Sequence, residues 1–386
     1  MVMGAMLAFY VCVGILVPVL PVFIENGMSS GEAMVGVTAV AFSVAAVLSR
    51  PAITLIGVHW GRRALMIGGG FVGAVGGFGL VLVTEPWQVL PLRALMGIGE
   101  AALFVGASTI AVDLAPPNRR AEAASYLSLS VFGGLAIGPI LGEAVLGDVP
   151  SGARGLDIGN FDGTFVLVGL MAVLAALISF TAPKWVGEKP EPQPFRWLER
   201  DALFPGLVLA SGIAAWTAFA TFLPTYAKDL GISGSAPFFF LYSVICVILR
   251  FVGARWPEQW GLRRTVFGAL IALFAGMVVV SSWASEPGIW VSTTLLSFGM
   301  TFMYPSLLAM SVNGVSEAKR VAVVSSFTMF FEVGATAGGL LLGGVAEIFG
   351  KRASFAGGAV FVLVGLALVL MPRRPSRVEP VSVAGG

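Results

Sequence analysis

The chain is divided into long apolar runs by short polar or turn-forming segments. The runs are apolar on every face, as at residues 102–112 and 361–371, and do not alternate as the strands of a membrane barrel would. A helix needs about 20 apolar residues to cross a bilayer. The pattern therefore predicts twelve membrane-spanning helices, at residues 5–24, 33–56, 64–84, 88–112, 123–146, 162–182, 203–226, 236–254, 265–284, 288–312, 321–346 and 354–372.

Composition supports an all-α polytopic membrane protein. The chain is 57% hydrophobic and 11% charged, whereas a soluble domain carries roughly a quarter charged residues. The first apolar run lacks a basic start and a cleavage site, so we expect it to be retained as a span. Cys12 and Cys246 lie in apolar runs and His59 is the single histidine, so we expect no disulfide, metal or cofactor.

Residues 200 apart along the chain are related, which predicts an internal repeat. Two six-helix bundles at 1–183 and 201–372 would be joined by a cytoplasmic linker at 184–200 and followed by a cytoplasmic tail at 373–386. Paired repeats of this kind are typical of secondary transporters, in which the pathway runs between the halves. The matching positions include Arg50/Arg250, Trp60/Trp260, Arg63/Arg263, Asp113/Asn313, Arg119/Lys319 and Arg120/Arg320.

The basic residues are distributed unevenly between the two predicted faces. With Arg50 and Arg250 counted among the connections, 18 of the 23 Lys and Arg residues fall on the face that carries both termini. Four fall on the other face, and Arg93 lies inside a predicted helix. The positive-inside rule then predicts cytoplasmic termini, in a prokaryotic inner membrane.

Three groups of residues form recognisable motifs. The connection after helix two contains Arg50-Pro51 followed by Gly61-Arg62-Arg63, and Arg250, Glu258, Gly261 and Arg263 repeat it in the second half. Helix four contains Arg93-x-x-x-Gly97-x-Gly99, and helix five contains Gly134-x-x-x-Gly138-Pro139-x-x-Gly142. Glycines permit close helix approach and the basic residues bind helix ends and lipid headgroups.

At these motifs the chain resembles the major facilitator superfamily, and within it the twelve-span drug:proton antiporters. The resemblance implies the major facilitator fold, gating roles for the first and third motifs, and a link between Arg93 and proton coupling. Three positions depart from the family pattern: Val58 replaces an acid, Thr54 a glycine and Glu143 a second glycine. Because the second copy retains Glu258, we expect the inner gate to depend mainly on the second half.

Two acids lie inside predicted helices. Glu100 is in the middle of helix four and Glu332 lies near the middle of helix eleven. A carboxyl group in the membrane must be paired, hydrated or protonated, so these acids are candidates for proton coupling or for binding a cationic substrate. A structural salt bridge is the alternative. Asp113 lies beside a turn, where we expect it to brace the cytoplasmic gate.

Aromatic and methionine side chains are expected on the helices around a central cavity. They suit a small amphipathic or apolar substrate. The candidates are Tyr10, Phe104, Tyr126, Trp216, Phe219, Phe222, Tyr242, Met303, Tyr304 and Phe331.

The sequence thus predicts a secondary transporter that exports small amphipathic or hydrophobic compounds by proton antiport. No GxxxxGK[ST] sequence is present, so transport would not be driven by a P-loop ATPase. An importer or uniporter of a small nutrient and a non-transporting membrane sensor are the alternatives, and no enzyme activity is expected. The expected partners are a small-molecule substrate, protons and membrane lipids, without nucleic acid, and the chain is expected to act as a monomer.

Overall fold

The computed structural model describes residues 1–30, 32–147, 155, 159–184, 198–232 and 235–371. The predicted tail at 373–386 and most of the predicted linker, at 185–197, lie outside these residues. Regular structure in the described part is entirely helical. The helices are α1 Val2–Val22, α2 Glu32–Leu48, α3 Arg50–His59, α4 Arg62–Gly79, α5 Val89–Leu114, α6 Arg120–Leu146, α7 Phe161–Ser179, α8 Arg200–Asp229, α9 Ala236–Val252, α10 Trp256–Trp260, α11 Leu262–Ser282, α12 Glu286–Val312, α13 Glu317–Ala337, α14 Gly343–Phe349 and α15 Lys351–Leu370.

These helices account for the twelve predicted spans. Ten helical stretches of the described chain are long and apolar enough to cross a membrane. The bent pair Met34–Leu48 and Arg50–His59 supplies an eleventh span, and the shorter apolar helix Pro237–Val252 corresponds to the twelfth. One stretch, Glu317–Phe349, joins α13 to α14 through a π-helical turn at Gly338–Leu342.

The second span is bent by 43° between α2 and α3. Pro51 occupies the first turn of α3, where the absence of an N–H removes one bond of the helical ladder. Arg50 lies directly at this break and is only 4% exposed. The bend therefore places a basic side chain inside the protein and not in a connection.

The position of Arg50, and that of Arg250 near the end of α9, corrects the predicted charge count. Arg250 is 2% exposed, so both arginines are enclosed by helices. Of the other 16 basic residues assigned to one face, 11 lie in the described chain, against Lys228, Lys351 and Arg352 for the opposite face, so the asymmetry persists among the described residues. We call this end of the bundle the arginine-rich face; it carries Gly61, Pro117, Gly261 and Gly314.

Helix packing follows the 200-residue repeat. In the first half, residues 1–183, α1 packs closely on α6: a Cβ at Gly138 would lie 2.6 Å from the Cα of Gly14. In the second half, residues 201–371, α8 packs the same way, and a Cβ at Gly338 would lie 2.5 Å from the carbonyl oxygen of Ala214. Residues 14 and 138 correspond to 214 and 338 in the repeat, so each half uses small residues at the same contact.

Gly61 and Gly261 end the connections that precede α4 and α11. Their φ angles are 88° and 91°, in the left-handed region that side chains other than glycine rarely adopt. The repeat is therefore visible in the backbone at these turns as well as in the sequence.

Candidate functional site

A cluster of charged residues lies where the two halves meet inside the bundle. Glu100 of α5 accepts a hydrogen bond from the hydroxyl of Tyr10, which α1 contributes. Tyr10 is 8% exposed and Glu100 is half-buried. The close approach of α1 therefore supplies a donor to an acid in the middle of a membrane helix.

Arg50 joins this cluster to the second half. Its Nη1 donates to the Thr328 hydroxyl of α13 at 2.6 Å, and the Ser325 hydroxyl donates to the Arg50 carbonyl oxygen at 3.5 Å. The guanidinium interacts electrostatically with Glu100 and Glu332. Arg50 is thus a shared cation for one acid from each half.

Glu332 lies on α13 and is half-buried. Its carboxyl group is within hydrogen-bonding range of the Ser43 hydroxyl of α2 and interacts with Arg50. With both acids ionised, two negative charges would face the one Arg50 guanidinium.

Aromatic rings continue the cluster across the interface. The Phe104 ring lies edge-on to Tyr10, with centroids 6.3 Å apart, and edge-on to Tyr304 of α12 at 6.1 Å. Tyr304 in turn contacts Phe327 at 5.7 Å. A continuous row of packed rings therefore runs from Tyr10 beside Glu100 to Tyr304 and Phe327 of the second half.

A second arginine lies at the other side of this aromatic bridge. Arg250 is placed over the ring of Phe132 of α6, 4.8 Å from its centroid. Within the described chain, its Nε and Nη1 are buried and make no hydrogen bond. Tyr242, about two turns earlier on α9, stacks on Trp216 at 4.0 Å.

The two halves are held together at the arginine-rich face by ion pairs around Asp113. Arg320 of α13 donates to Asp113 at 2.7 Å, and Arg62 lies 3.0 Å from the same carboxylate. Arg62 also donates to the backbone oxygen of Glu317 at 2.9 Å. The first copy of the motif therefore contributes to the contact through Arg62, beside the residues of the second half.

Glu258 makes a different contact at the same face. Its carboxylate accepts hydrogen bonds from the backbone N–H groups of Ala121 and Glu122, at 2.6 and 3.1 Å. These are orphan donors in the first turn of α6, so an acid of the second half caps a helix of the first. Partial burial raises the pKa of Glu258, and the two N–H donors act in the opposite direction.

Two further groups complete the contact. Arg120 donates to the carbonyl oxygen of Val312 at 3.1 Å and to the side chain of Asn313 at 3.2 Å, both at the end of α12. Glu122 pairs with Arg119 at 2.6 Å and with Arg255 of the second half at 3.2 Å. Within the described residues, the ion pairs that join the two halves lie at this face. The structure is therefore closed at the arginine-rich face.

Several predicted gating residues lie within one half. Arg63 stacks on Phe180 at 5.9 Å. Arg263 donates to the carbonyl oxygens of Val369 and Met371. These groups lie at the C-terminal end of α15, where a positive charge is stabilising. Gly134 and Gly142 continue the contact of α6 with α1, and Pro139 lies between them inside α6.

Arg93 contacts an aromatic ring and not an acid. Its guanidinium lies 4.7 Å from the centroid of Phe42 on α2, and its Nε and Nη1 make no hydrogen bond among the described residues. Gly97, one turn further along α5, leaves room for the backbone of Phe42. The predicted helical motif thus places Arg93 at the contact of α2 with α5, apart from Glu100.

The predicted cavity residues divide into two sets. Tyr10, Phe104, Tyr304, Trp216 and Tyr242 lie around the charged cluster or around Arg250. The others lie elsewhere, because helical periodicity does not identify the helix that each face meets. Tyr126 donates to Glu122 at the arginine-rich face at 3.4 Å, Phe331 is 42% exposed, Met303 and Phe219 are fully buried in the second half, and Phe222 packs against that core.

Sequence reasoning missed the partners of Arg50 and Arg250. Thr328, Ser43 and Phe132 are common residue types with no motif around them. The repeat offered one usable signal, because Phe132 and Glu332 are 200 residues apart and occupy equivalent positions beside Arg250 and Arg50.

The sequence profile of the Major Facilitator Superfamily matches residues 2–256 and 207–386. The chain therefore belongs to this superfamily of membrane proteins. An MFS-type transporter of Pseudomonas aeruginosa, itself uncharacterised, is 25% identical over 379 residues, which cover 95% of this chain and 91% of the relative. Another from Bacillus subtilis is 26% identical over 358 residues, covering 89% and 86%.

Solved structures share the fold. The human organic anion transporter MFSD10 aligns with a TM-score of 0.79 at 18% identity, covering 95% of this chain and 97% of that one. The transporter FucP in the outward conformation aligns with a TM-score of 0.80 at 16% identity, covering 95% and 96%. The relatives are named as transporters, and the chain is an MFS-type transporter and not a membrane sensor.

Proposed function

We propose that the protein is a proton-coupled secondary transporter that works by alternating access, and that it exports small amphipathic compounds. The observation that carries the proposal is the cluster of Glu100, Glu332 and Arg50. One acid comes from each half, and the shared arginine bonds to α13 across the interface. A proton bound there changes the forces between the two halves that must move.

The coupling follows from charge balance in a medium of low polarity. When both acids are ionised, one negative charge beside Arg50 is left without a partner, which is costly inside a membrane. Protonation removes that cost, so proton and substrate each favour particular arrangements of the halves. Tyr10 and Ser43 orient the carboxyl groups for this exchange.

The direction rests on charge distribution and on motif resemblance. By the positive-inside rule we assign the arginine-rich face to the cytoplasm, together with both termini. The closed contacts around Asp113 and Glu258 then describe an outward-facing state. An exporter in that state would release substrate and take up a proton for the return.

Import by symport is the second candidate. The glycine contact that suggested an exporter is duplicated at Gly334 and Gly338 in the second half, so it serves helix packing in both halves. FucP is named as a fucose:proton symporter, and it aligns closely with this fold. The same acid cluster would couple either direction.

The test measures proton movement that a compound gradient evokes. We would reconstitute the full chain in liposomes that contain the pH indicator pyranine and add aryl carboxylates, amines and neutral sugars outside. Antiport moves protons outward against an inward compound gradient, and symport moves them inward. Glu100→Gln and Glu332→Gln should each abolish the proton signal, while Glu143→Gln, an exposed acid on α6, should retain it.

Proton movement that survives in both Glu100→Gln and Glu332→Gln would contradict the coupling assignment. Inward proton movement together with the compound in the wild-type protein would contradict export by antiport and favour import by symport. The assignment of the coupling site would then stand.

A further inference from the structure

We propose that Arg250 binds the anionic group of the transported compound, and that this compound is a monocarboxylate with a flat apolar body. The inference deepens the proposed function by naming its substrate class, and it rests on that function for its consequence in transport. It is carried by the environment of Arg250, compared with that of Arg50 at the equivalent position of the repeat.

Arg250 is a fully enclosed cation that no acid of the described chain neutralises. It is 2% exposed, and its Nε and Nη1 are buried without hydrogen bonds. Its contact with the Phe132 ring compensates for only part of the desolvation of a guanidinium. Buried charges in proteins are as a rule paired, so an unpaired one indicates that another molecule supplies the partner.

The repeat shows which partners are missing. Arg50 faces Glu100 and Glu332, and the residues 200 positions away from these acids are Met300 and Phe132. Arg250 lies directly over Phe132, so the ring occupies the position that an acid has in the other half. Arg250 therefore has no acid at either of the two positions that are equivalent to the acids beside Arg50.

The surroundings of Arg250 define the rest of the ligand. The hydroxyl groups of Tyr242 and Tyr304 are buried near the guanidinium, beside the side chains of Cys246 and Ser108, and provide two neutral donors. Trp216 stacks on Tyr242 and Phe132 lies on the opposite half. A carboxylate accepts from a guanidinium and hydroxyls together, and aromatic walls suit a flat apolar body.

The position also explains coupling. Tyr304 lies between the two arginines and connects through Phe104 and Tyr10 to Glu100. A bound carboxylate adds negative charge on one side of this bridge, and a proton removes negative charge on the other. The two events are therefore linked, and each changes the affinity for the other by the same factor.

The inference is tested with matched acids and amides. Binding of phenylacetate, 3-phenylpropionate and 2-naphthoate to the purified full-length protein would be measured by calorimetry, beside the corresponding amides. We expect at least one carboxylate to bind, and the corresponding amide to bind at least about tenfold more weakly. The substitution Arg250→Met should lower the affinity for that carboxylate by a similar factor. Arg250→Lys should retain part of the affinity, and Arg264→Gln, an exposed arginine of α11, should retain all of it.

A second measurement separates binding from folding. Because Arg250 lacks a counter-charge, Arg250→Met should melt at the same temperature as the wild-type protein or higher when no carboxylate is present. A structural arginine would give a lower melting temperature. Equal binding of acids and amides, no binding of any of the three acids, or a destabilised Arg250→Met would each overturn the proposal.

The liposome assay distinguishes failure of this inference from failure of the proposed function. Proton movement evoked by amines or sugars but not by carboxylates would reject the substrate class and keep proton coupling. Carboxylate binding that depends on Arg250, without any proton movement, would keep the substrate class and reject proton coupling.

Discussion

Arg320 of α13 and Asp113 of α5 meet across the interface between the halves, with Nη1 and Oδ1 2.7 Å apart. The repeat-related residues Arg120 and Asn313 meet in the same way at 3.2 Å. The arginine-rich face is therefore closed by two reciprocal contacts around a pseudo-twofold axis. The contact of Arg320 with Asp113 is an ion pair, whereas Arg120 donates to the neutral side-chain amide of Asn313.

Replacing Asp113 should increase the fraction of molecules in which the arginine-rich face is open. Asp113→Asn removes the charge that both Arg62 and Arg320 approach, and these groups are only partly exposed. A loss of about 1–2 kcal/mol would raise the open population by about 5- to 30-fold. The measurement is the rate at which maleimide labels a cysteine at Ser325, a residue 1% exposed at the interface, with Cys12 and Cys246 replaced by alanine.

A matched control exists at the other end of the bundle. Asp229→Asn breaks an ion pair with Lys351 that has a similar length, 2.6 Å, but lies within the second half. Labelling at position 325 should not change in this variant. Equal rates in both variants and the wild-type protein would mean that Asp113 does not hold the face closed.

Glu258 should contribute to closure as a helix cap. Glu258→Ala leaves the N–H groups of Ala121 and Glu122 without their acceptor, at a cost of about 1–2 kcal/mol, and Glu258→Gln keeps an oxygen without the charge. The rate of labelling at position 325 should be lowest in the wild-type protein, higher in Glu258→Gln and highest in Glu258→Ala. Glu347→Ala, which removes an acid from α14, is the control, and a response equal to that control would contradict the capping role.

The contact of α1 with α6 should tolerate no added volume. In Gly138→Ala the new Cβ would meet the backbone of Gly14 at 2.6 Å, so the helices must separate at a cost of about 1–3 kcal/mol. Gly268→Ala adds the same methyl group to α11 where nothing lies within 4 Å. After heating in detergent, the monodisperse fraction should fall at a lower temperature for Gly138→Ala and not for Gly268→Ala.

Thr328 should stabilise Arg50 inside the protein. Thr328→Val keeps the shape and removes the hydroxyl that accepts from Arg50 at 2.6 Å, which leaves a buried donor unsatisfied at a cost of about 1–3 kcal/mol. Thr225→Val removes an exposed hydroxyl that bonds to its own helix and should be neutral. Melting temperatures of the two variants provide the measurement, and equal values would show that Arg50 finds another partner at no cost.

The sequence by itself determined the all-helical fold, the approximate positions of the membrane-spanning segments and the charge asymmetry between the faces. Long apolar runs have one stable form in a membrane, since every backbone polar group must be bonded within its own helix. The repeat of 200 residues was also readable, because Trp60, Arg63 and Arg120 each return at the equivalent position.

Only the tertiary structure decided what the charged side chains contact. Arg50 and Arg250 are equivalent in the repeat, yet one faces two acids and the other a phenylalanine ring. Arg93 and Glu100 share a helix and have separate partners on α2 and α1. The helices are apolar on nearly every face, so their sequences carry little information about which face contacts which neighbouring helix. The close packing of small residues determines these contacts.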